Sequence, residues 1–255
     1  MHSRSQAWCH ALEVAIPPMG LTGTLSVPAM VAGTVVFAQC AGQSVPGKPA
    51  QTASRNSPLA RTLLEAGLAT LVFDLLAPCE APDKDNVLLL ADRVDYAIGF
   101  VRSRPETAGL PICIFGADSG GSAALVSAGS MPSLVCAVVS LTGRPDIATD
   151  MLGHVRAPTL FIVDGGDTRA LALNLAAKAM MACQTGLQVL PLGGSLSDGH
   201  NSGKQVACLA ADWFKRHVGR PGAKGLRPIP TFLTAHSDSN DGPYGRDVFA
   251  HAKKA

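Results

Sequence analysis

The chain has 255 residues, of which 47% are apolar and 16% charged, and its formal net charge is +2. This length and apolar content allow one large domain with a substantial core, and the small net charge argues against a nucleic-acid partner. The seven cysteines form no Cys-x-x-Cys pair, so they predict no disulfide framework and no metal site. The amino terminus lacks an apolar signal region, and no run of about 18 apolar residues occurs. We therefore expect a cytoplasmic protein with no membrane partner, no metal and no cofactor.

Apolar segments alternate with helical patterns along the chain. Eight segments are predicted as strands: 12–16, 21–27, 34–38, 69–75, 112–115, 135–141, 159–163 and 187–191. Five segments are predicted as helices: 58–66, 86–102, 122–128, 169–183 and 205–217. Continuously apolar strands that alternate with helices are typical of a mostly parallel sheet covered on both faces. The sequence therefore predicts an α/β fold with a mostly parallel central sheet and helices on both faces.

Two of the helix predictions have clear local signals. Ser57 followed by Pro58 is typical of an N-cap and a first helical position. In the segment 86–102, four apolar residues recur at helical spacing, which predicts a face that packs on the sheet. These residues are Leu90, Val94, Ile98 and Val101.

The composition changes near residue 218. Residues 1–218 are predicted to form the folded domain, and residues 219–255 form a basic tail rich in proline and glycine. This tail is either flexible or a strap over the surface, and it could dock another protein.

The most informative motif is Gly116-Ala117-Asp118-Ser119-Gly120-Gly121, which lies between a predicted strand and a predicted helix. Strand, tight turn and helix with flanking glycines are the features of a nucleophile elbow, whose central residue is presented at the top of a sheet. The central residue here is Asp118. A one-residue shift would make Ser119 the nucleophile, but it would also lengthen the strand. The alternative without chemistry is that Asp118 caps the following helix.

Together with further segments, this motif resembles the dienelactone hydrolase-like branch of the α/β-hydrolase family over roughly residues 12–218. The segments that carry the resemblance are 34–38, 66–76, 143–146, 157–163 and 211–214. The resemblance implies an α/β-hydrolase fold with a pocket for a small ester or lactone. It also implies that Asp167 is the acid of a catalytic triad, where it would orient a histidine. Alternatively, Asp167 is the N-cap of the helix that follows.

The resemblance also indicates where the chain departs from the family. Asp118 stands where the family has serine, and an aspartate at this place resembles the epoxide hydrolase and haloalkane dehalogenase branch, in which a carboxylate attacks carbon. Counting back without gaps from the last helix places Ser195 where the family has histidine. A serine hydroxyl cannot accept a proton near neutral pH. His200 is the nearby candidate for a base, or else an exposed loop histidine.

The region that would bind the oxyanion differs as well. The resemblance implies a His-Gly pair after the strand 34–38, whereas this chain has Gln39-Cys40, and Ser119 completes the region. A side chain at Cys40 restricts the close backbone approach that glycine allows. Gln39 could donate a hydrogen bond from its amide or pack the loop. Cys40 is either a half-buried thiol or a nucleophile of its own.

These departures affect groups that act together in catalysis. Loss of one triad member lowers the rate by about 10⁴-fold or more, and the remaining members do not compensate. We therefore expect an α/β-hydrolase-like protein with a degenerate triad that lacks serine-hydrolase activity. It would bind a small molecule in the hydrolase-type pocket, or a protein partner through its tail. The alternative is an active ester or lactone hydrolase with a rewired site, using Asp118 or Ser119 together with His200 and Asp167.

Overall fold

The computed structural model describes residues 9–40, 57–76, 86–191, 200–219 and 227–228. Within these ranges the strands are β1 (Cys9–Ile16), β2 (Leu21–Pro28), β3 (Met30–Val31), β4 (Gly33–Ala38), β5 (Leu68–Phe73), β6 (Ile112–Ala117), β7 (Val135–Leu141), β8 (Thr159–Asp164), β9 (Thr185–Leu190) and β10 (Arg227–Pro228). The helices are α1 (Pro58–Glu65), α2 (Val87–Ser103), α3 (Ser119–Ser130), α4 (Thr149–Leu152), α5 (Thr168–Met180) and α6 (His200–Val218), with a 3-10 turn at Pro145–Ala148.

Eight strands form one sheet in the order β1-β2-β5-β4-β6-β7-β8-β9. The first two pairings, β1 with β2 and β2 with β5, are antiparallel. All the others are parallel, from the pairing of β4 with β5 to that of β8 with β9. Because parallel strands share a direction, β4 to β9 end at one common edge, which we call the carboxyl edge.

Helices cover both faces of this sheet, as the sequence predicts. One buried cluster joins α1 and α6 to the sheet and includes Leu63, Phe115 and Phe214. The other lies under α2, α3 and α5 and includes Ile98 and Leu125. The α/β fold with a mostly parallel sheet is therefore confirmed.

The two helices with clear local signals form as predicted. Ser57 caps α1, and its hydroxyl oxygen accepts a hydrogen bond from the Ala60 N–H at 3.2 Å. The four residues of the predicted apolar face of α2 are all buried: Leu90, Val94, Ile98 and Val101.

Some boundaries differ from those predicted, and each has a local cause. Strand β5 ends at Phe73 because the next residue, Asp74, closes a turn by accepting a hydrogen bond from the Leu76 N–H at 3.0 Å. Helix α3 begins at Ser119 and includes Gly120 and Gly121, whose missing side chains allow the helix to start in close contact with the sheet. Helix α6 begins at His200, so this residue is the first of a helix and not part of a loop.

Part of the predicted tail is ordered against the domain. Strand β10 pairs antiparallel with β3, so that Arg227 lies opposite Val31 and Pro228 opposite Met30. The other residues beyond 219 lie outside the described ranges, and the division of the chain at residue 218 stays a prediction. Among the described helices, none has the length and apolar character needed to cross a bilayer.

A half-buried carboxyl group, that of Asp95, joins α2 to α3. The Ser127 hydroxyl donates a hydrogen bond to Asp95 at 2.5 Å. Burial raises the pKa of Asp95 to about 6, although the hydrogen bond from Ser127 opposes this shift, and the charge of Asp92 adds to it. The folded protein therefore holds a proton on Asp95 at pH values where the unfolded chain has lost it.

This arrangement predicts a pH dependence of stability. The contribution of Asp95 is fully present below its ordinary pKa of 3.8 and is lost as the pH rises through about 6. The variant Asp95→Asn cannot ionise at this position, so its melting temperature should fall less than that of the wild type between pH 4 and pH 7. Thermal unfolding followed by circular dichroism measures this difference. The exposed Asp150→Asn on α4 is the control and should follow the wild type. Parallel curves for Asp95→Asn and the wild type would contradict the prediction.

Candidate functional site

The turn after β6 holds its central residue in a strained backbone conformation. Asp118 has φ 51° and ψ −124°, values that a residue with a side chain rarely adopts. The turn is held by two backbone hydrogen bonds of 3.0 Å, from the Asp118 N–H to the Leu141 carbonyl and from the Gly121 N–H to the Asp118 carbonyl. Such strain costs about 1–3 kcal/mol and persists only where the surroundings enforce it. The strand–turn–helix geometry of the motif therefore places Asp118 at the apex.

The glycines of the motif are required by close backbone packing. A Cβ at Gly120 would lie 1.9 Å from the Ala38 carbonyl oxygen, and one at Gly116 would lie 2.4 Å from the Gly120 oxygen. A Cβ at Gly121 would lie 2.7 Å from the hydroxyl oxygen of Ser140. Helix α3 therefore starts in contact with the ends of β4 and β7, which fixes the height of the turn above the sheet.

The carboxylate of Asp118 is exposed and makes no capping hydrogen bond to α3. Its Oδ1 accepts a hydrogen bond from the hydroxyl of Thr142 at 3.0 Å instead. The interpretation of Asp118 as a helix cap is therefore wrong. Ser119 is the first residue of α3, and positive φ values among the described non-glycine residues occur only at Asp118 and Thr142.

Thr142 is a residue of this site that the sequence analysis missed. It follows β7 directly, has φ 47°, and donates its N–H to the Ile162 carbonyl at 2.8 Å. A β-branched residue with positive φ is a genuine outlier, because its side chain crowds the backbone. One sequence signal could have identified Thr142. It is a polar residue between an apolar strand and Gly143, and that strand is the neighbour of the one that carries the elbow.

The loop that follows Thr142 is fixed from two helices. Ser122 on α3 donates its hydroxyl to the Arg144 carbonyl at 2.7 Å. Asn174 on α5 donates its amide to the Gly143 carbonyl at 3.3 Å and is fully buried. Arg144 itself forms a salt bridge with Asp146 at 2.8 Å, and this hydrogen-bonded guanidinium lowers the pKa of Asp146.

Asp167 lies at the carboxyl edge, after the end of β8. Its carboxylate caps α5 by accepting a hydrogen bond from the Ala170 N–H at 2.8 Å. The neighbouring Asp164 accepts one from the Gly166 N–H at 2.9 Å. The capping role given to Asp167 as an alternative is thus observed. Its role as a triad acid, which would use the remaining oxygen, stays a prediction.

Gln39 and Cys40 follow the end of β4. Gln39 accepts a hydrogen bond from the Leu75 N–H at 3.0 Å through its backbone carbonyl. Its side chain is only 4% exposed, and among the described residues neither its amide nitrogen nor its amide oxygen has a hydrogen-bond partner. The Gln39 backbone nitrogen lies 3.1 Å from the position of a Cβ at Gly120, so this residue lies against the turn. Cys40 is half-buried against the core.

Helix α6 begins at the same edge of the sheet. Its far end lies at the amino ends of the strands, because Trp213 donates to the Pro158 carbonyl at 3.3 Å and Cys136 donates to the His217 carbonyl at 3.2 Å. The 17 residues from His217 back to His200 span about 25 Å of helix, whereas a strand of six or seven residues spans about 20 Å. His200 therefore starts α6 at the level of the carboxyl edge.

The other described histidines lie elsewhere. His10 is on the edge strand β1, His154 is exposed in the segment that leads into β8, and His217 is buried in the last turn of α6. Ser195 lies outside the described residues. Within the part of the chain that the structure describes, no three histidine, cysteine or acidic residues are grouped to hold a metal ion.

No protein-family model matches this chain. Two proteins of Mycobacterium tuberculosis named "Putative phosphoribosyl transferase" are 42% identical to it over 217 residues, which are 84% of this chain and 48% of theirs. The chain thus spans about half the length of these curated relatives.

Two solved structures match this chain over 99% or more of their own length. The dienelactone hydrolase from Anabaena variabilis is 35% identical, with a TM-score of 0.74 over 84% of this chain and 99% of that chain. An α/β serine hydrolase without a lid from Xanthomonas campestris is 18% identical, with a TM-score of 0.61 over 86% of this chain and 100% of that chain. At 18% identity, the match to the Xanthomonas protein shows a shared fold alone.

Because the backbone is closely packed at Gly120, adding a single methyl group there should lower the free energy of unfolding strongly. Gly120→Ala places a carbon against the Ala38 carbonyl and should destabilise the protein by about 3 kcal/mol. The matched control is Gly99→Ala in α2, where a Cβ meets nothing within 4 Å. This control should stabilise the protein by about 0.5–1 kcal/mol. Urea unfolding measures both changes, and equal effects of the two variants would contradict the packing argument.

Proposed function

Because this chain belongs to the dienelactone hydrolase-like branch of the α/β-hydrolase family, we propose that it binds a small molecule at the carboxyl edge without serine-hydrolase chemistry. The observation that supports this proposal is the identity of the apex residue. The strained position that presents a nucleophile is occupied by Asp118, whose side chain is a carboxylate. Phosphoribosyl transfer, the activity in the name of the mycobacterial relatives, is not proposed, because the match covers only 48% of each relative.

A serine hydrolase needs a hydroxyl nucleophile, an imidazole that removes its proton and an acid that orients the imidazole. Asp118 offers no such hydroxyl, and Ser119 lies one residue beyond the apex, at the start of α3. The gap-free count puts Ser195 in the place of the imidazole. Asp167 remains, but its carboxylate caps α5. The proposed loss of catalysis therefore rests on two replaced groups that act as one unit.

The carboxyl edge is nevertheless suited to bind a ligand. In open α/β sheets the crevice beyond the carboxyl ends of the strands is the usual binding place. The segments 41–56, 77–85 and 192–199, which follow β4, β5 and β9 in the sequence, lie outside the described residues. The tail of residues 219–255 remains a proposed docking segment for a protein partner.

A second candidate function is hydrolysis of an ester or lactone through a rewired site. Two observations favour it: the Asp118 carboxylate is exposed and not used as a helix cap, and α6 begins with His200 at the same edge. Asp118 would attack the alkyl carbon of the ester and displace a carboxylate, forming an ester on its own side chain. Water, deprotonated by His200, would then hydrolyse this ester and restore Asp118. Asp167 would orient His200, and Ser119 is the alternative nucleophile.

The two functions differ in a simple assay. If the site has lost catalysis, the wild type should hydrolyse neither p-nitrophenyl acetate nor p-nitrobenzyl acetate, whose benzylic carbon a carboxylate can attack, faster than Asp118→Ala, Ser119→Ala and His200→Ala, once the uncatalysed rate is subtracted. A rate that falls at least about tenfold in both Asp118→Ala and His200→Ala would support the rewired hydrolase. An ester adduct on Asp118, detected by mass spectrometry after a rapid quench, would support it as well.

Restoring the family residues tests the cause of the loss. The triple variant Asp118→Ser, Cys40→Gly and Ser195→His supplies a hydroxyl, an open oxyanion region and an imidazole. It should hydrolyse p-nitrophenyl acetate at least about 10²-fold faster than the wild type, which is a typical contribution of general-base catalysis. The matched control carries alanine in place of the introduced histidine and should stay at the wild-type rate. Equal rates for the two triple variants would show that Ser195 does not occupy the position of the base.

A further inference from the structure

Two cysteines lie side by side on neighbouring strands, at the amino ends of β6 and β7. Cys113 is the second residue of β6 and is fully buried, whereas Cys136 is the second residue of β7 and is half-buried. Both are reduced in the structure. Asp118 follows Cys113 by five residues, which corresponds to about 16 Å of strand. The pair is therefore separate from the proposed ligand site, and neither proposed function uses it.

A β-bulge places the two thiols on the same face of the sheet. In the ladder between β6 and β7, Ile112 lies opposite Val135. The next residue, Cys113, lies opposite Ala137, so Cys136 is an extra residue in β7. Without a bulge, strict alternation would point Cys136 and Ala137 to opposite faces. Instead both pack in the buried cluster under α1 and α6 that contains Cys113. Turning a side chain in this way is a specific effect of a bulge.

The bulge also sets the separation of the two residues. Cys113 faces both Cys136 and Ala137 on the neighbouring strand, whose backbone lies about 5 Å away. Disulfides join residues whose Cα atoms are about 4.4–6.8 Å apart. In the reduced protein the two thiols contact each other through a hydrogen bond between their side chains. The backbone as it stands therefore allows a disulfide between them.

Their surroundings give the two thiols different roles. Burial raises the pKa of the Cys113 thiol, and the contact with Cys136 adds to this shift. A buried thiol with a raised pKa stays protonated and reacts poorly with a reagent from solution. Cys136 is the more accessible of the two, and its thiol donates a hydrogen bond to the His217 carbonyl at 3.2 Å. An oxidant from solution therefore reaches Cys136 first.

We propose that Cys113 and Cys136 form a redox site that a hydroperoxide converts into an intramolecular disulfide. First, the Cys136 thiolate attacks an oxygen of hydrogen peroxide, and the O–O bond breaks. The products are a sulfenic acid on Cys136 and a hydroxide ion, which takes up the proton that the thiol released and becomes water. Second, the Cys113 sulfur attacks the Cys136 sulfur and the S–O bond breaks. The hydroxide that leaves takes the proton of Cys113 and becomes the second water.

The electrons and protons of this reaction balance. The two thiols lose two electrons and two protons in total, and the peroxide is reduced to two molecules of water. Because the two sulfurs are already in contact, the second step is intramolecular and has a large advantage over attack by a thiol from solution. Two molecules of a thiol such as glutathione reverse the reaction and leave as their own disulfide.

Oxidation also removes a hydrogen bond at the end of α6. The last carbonyls of a helix have no partner within the helix, and the Cys136 thiol donates to that of His217. A disulfide sulfur has no proton to donate, so this carbonyl loses that donor. We expect the last turn of α6 to open more often in the oxidised protein, and its backbone amides to exchange with solvent several-fold faster.

Mass spectrometry of the native full chain tests the proposal. The protein is treated with hydrogen peroxide, alkylated, digested without reductant and searched for a peptide pair joined between Cys113 and Cys136. The wild type should contain this disulfide and lose it after treatment with dithiothreitol. The matched control, Cys208→Ser, removes an exposed thiol of α6 and should form the disulfide to the same extent as the wild type.

Two variants separate the two steps. Cys113→Ala has no second thiol at the site, so its reaction should stop at a sulfenic acid on Cys136, which dimedone traps. Cys136→Ser should leave Cys113 unmodified, because the buried thiol does not react first. Circular dichroism before oxidation shows whether each variant is folded, and the wild-type disulfide decides the question if one is not. Hydrogen exchange of the wild type should differ between the redox states at the end of α6 and be the same in α2.

Three results would overturn the proposal. The first is a Cys136 that stays reduced under conditions that oxidise Cys208. The second is a disulfide from Cys136 to another cysteine that forms as readily as the one to Cys113. The third is a Cys113 trapped by dimedone in Cys136→Ser. Equal exchange at the end of α6 in both redox states would contradict the effect on this helix. None of these results depends on ester turnover, so the proposed function and this inference fail separately.

Discussion

The site depends on a contact between two backbones, that of Gly120 at the start of α3 and that of Ala38 at the end of β4. No side chain fits between them, and the contact sets how close α3 comes to the sheet. With α3 at this distance, the chain that leaves β6 has to turn within a few residues. The turn then forces the residue at position 118 into a positive φ. The strained apex is therefore a consequence of packing, and it forms whatever side chain stands there.

The turn does not depend on the side chain at its apex. This independence explains how a hydrolase-like scaffold can carry a carboxylate there. The glycines at positions 116, 120 and 121 are needed because an added Cβ would meet backbone or side-chain atoms at 2.7 Å or less. The side chain of residue 118 is exposed and meets no such restriction. Chemistry can change at the apex while the fold remains, since the residues that form the turn are not the residues that react.

Much of the fold could be predicted because the signals are local and repeated. Continuous apolar runs such as 135–141 form buried strands, and the apolar face of α2 packs as its spacing predicts. The short α4 was missed because four residues carry too little periodicity. The early start of α6 was missed because its first residues are polar and have no apolar spacing before Val206.

The candidate site was predicted only in part, because only some of its features have a local sequence signal. The glycine spacing of the motif predicted the turn with Asp118 at its apex, whereas Gln39 was named from the resemblance to the family and its role stays a prediction. Thr142 could not be found in this way, because its importance comes from a contact across two strands and from a φ of 47°. Sequence patterns report the period of an element, whereas the angle at a single residue depends on the elements packed around it.

Two strained residues side by side imply that the turn after β6 and the loop after β7 stabilise one another. Thr142 contacts Asp118 through its hydroxyl, and the Asp118 N–H in turn bonds to the carbonyl of Leu141, the residue before Thr142. The bond to Leu141 holds the backbone of the apex, the hydroxyl of Thr142 orients the carboxylate of Asp118, and the backbone of Thr142 is held in turn by the Ile162 carbonyl. The surrounding polar contacts, from Ser122 and Asn174, hold the second loop independently of any ligand. The orientation of Asp118 is thus set by the packing of the two loops themselves.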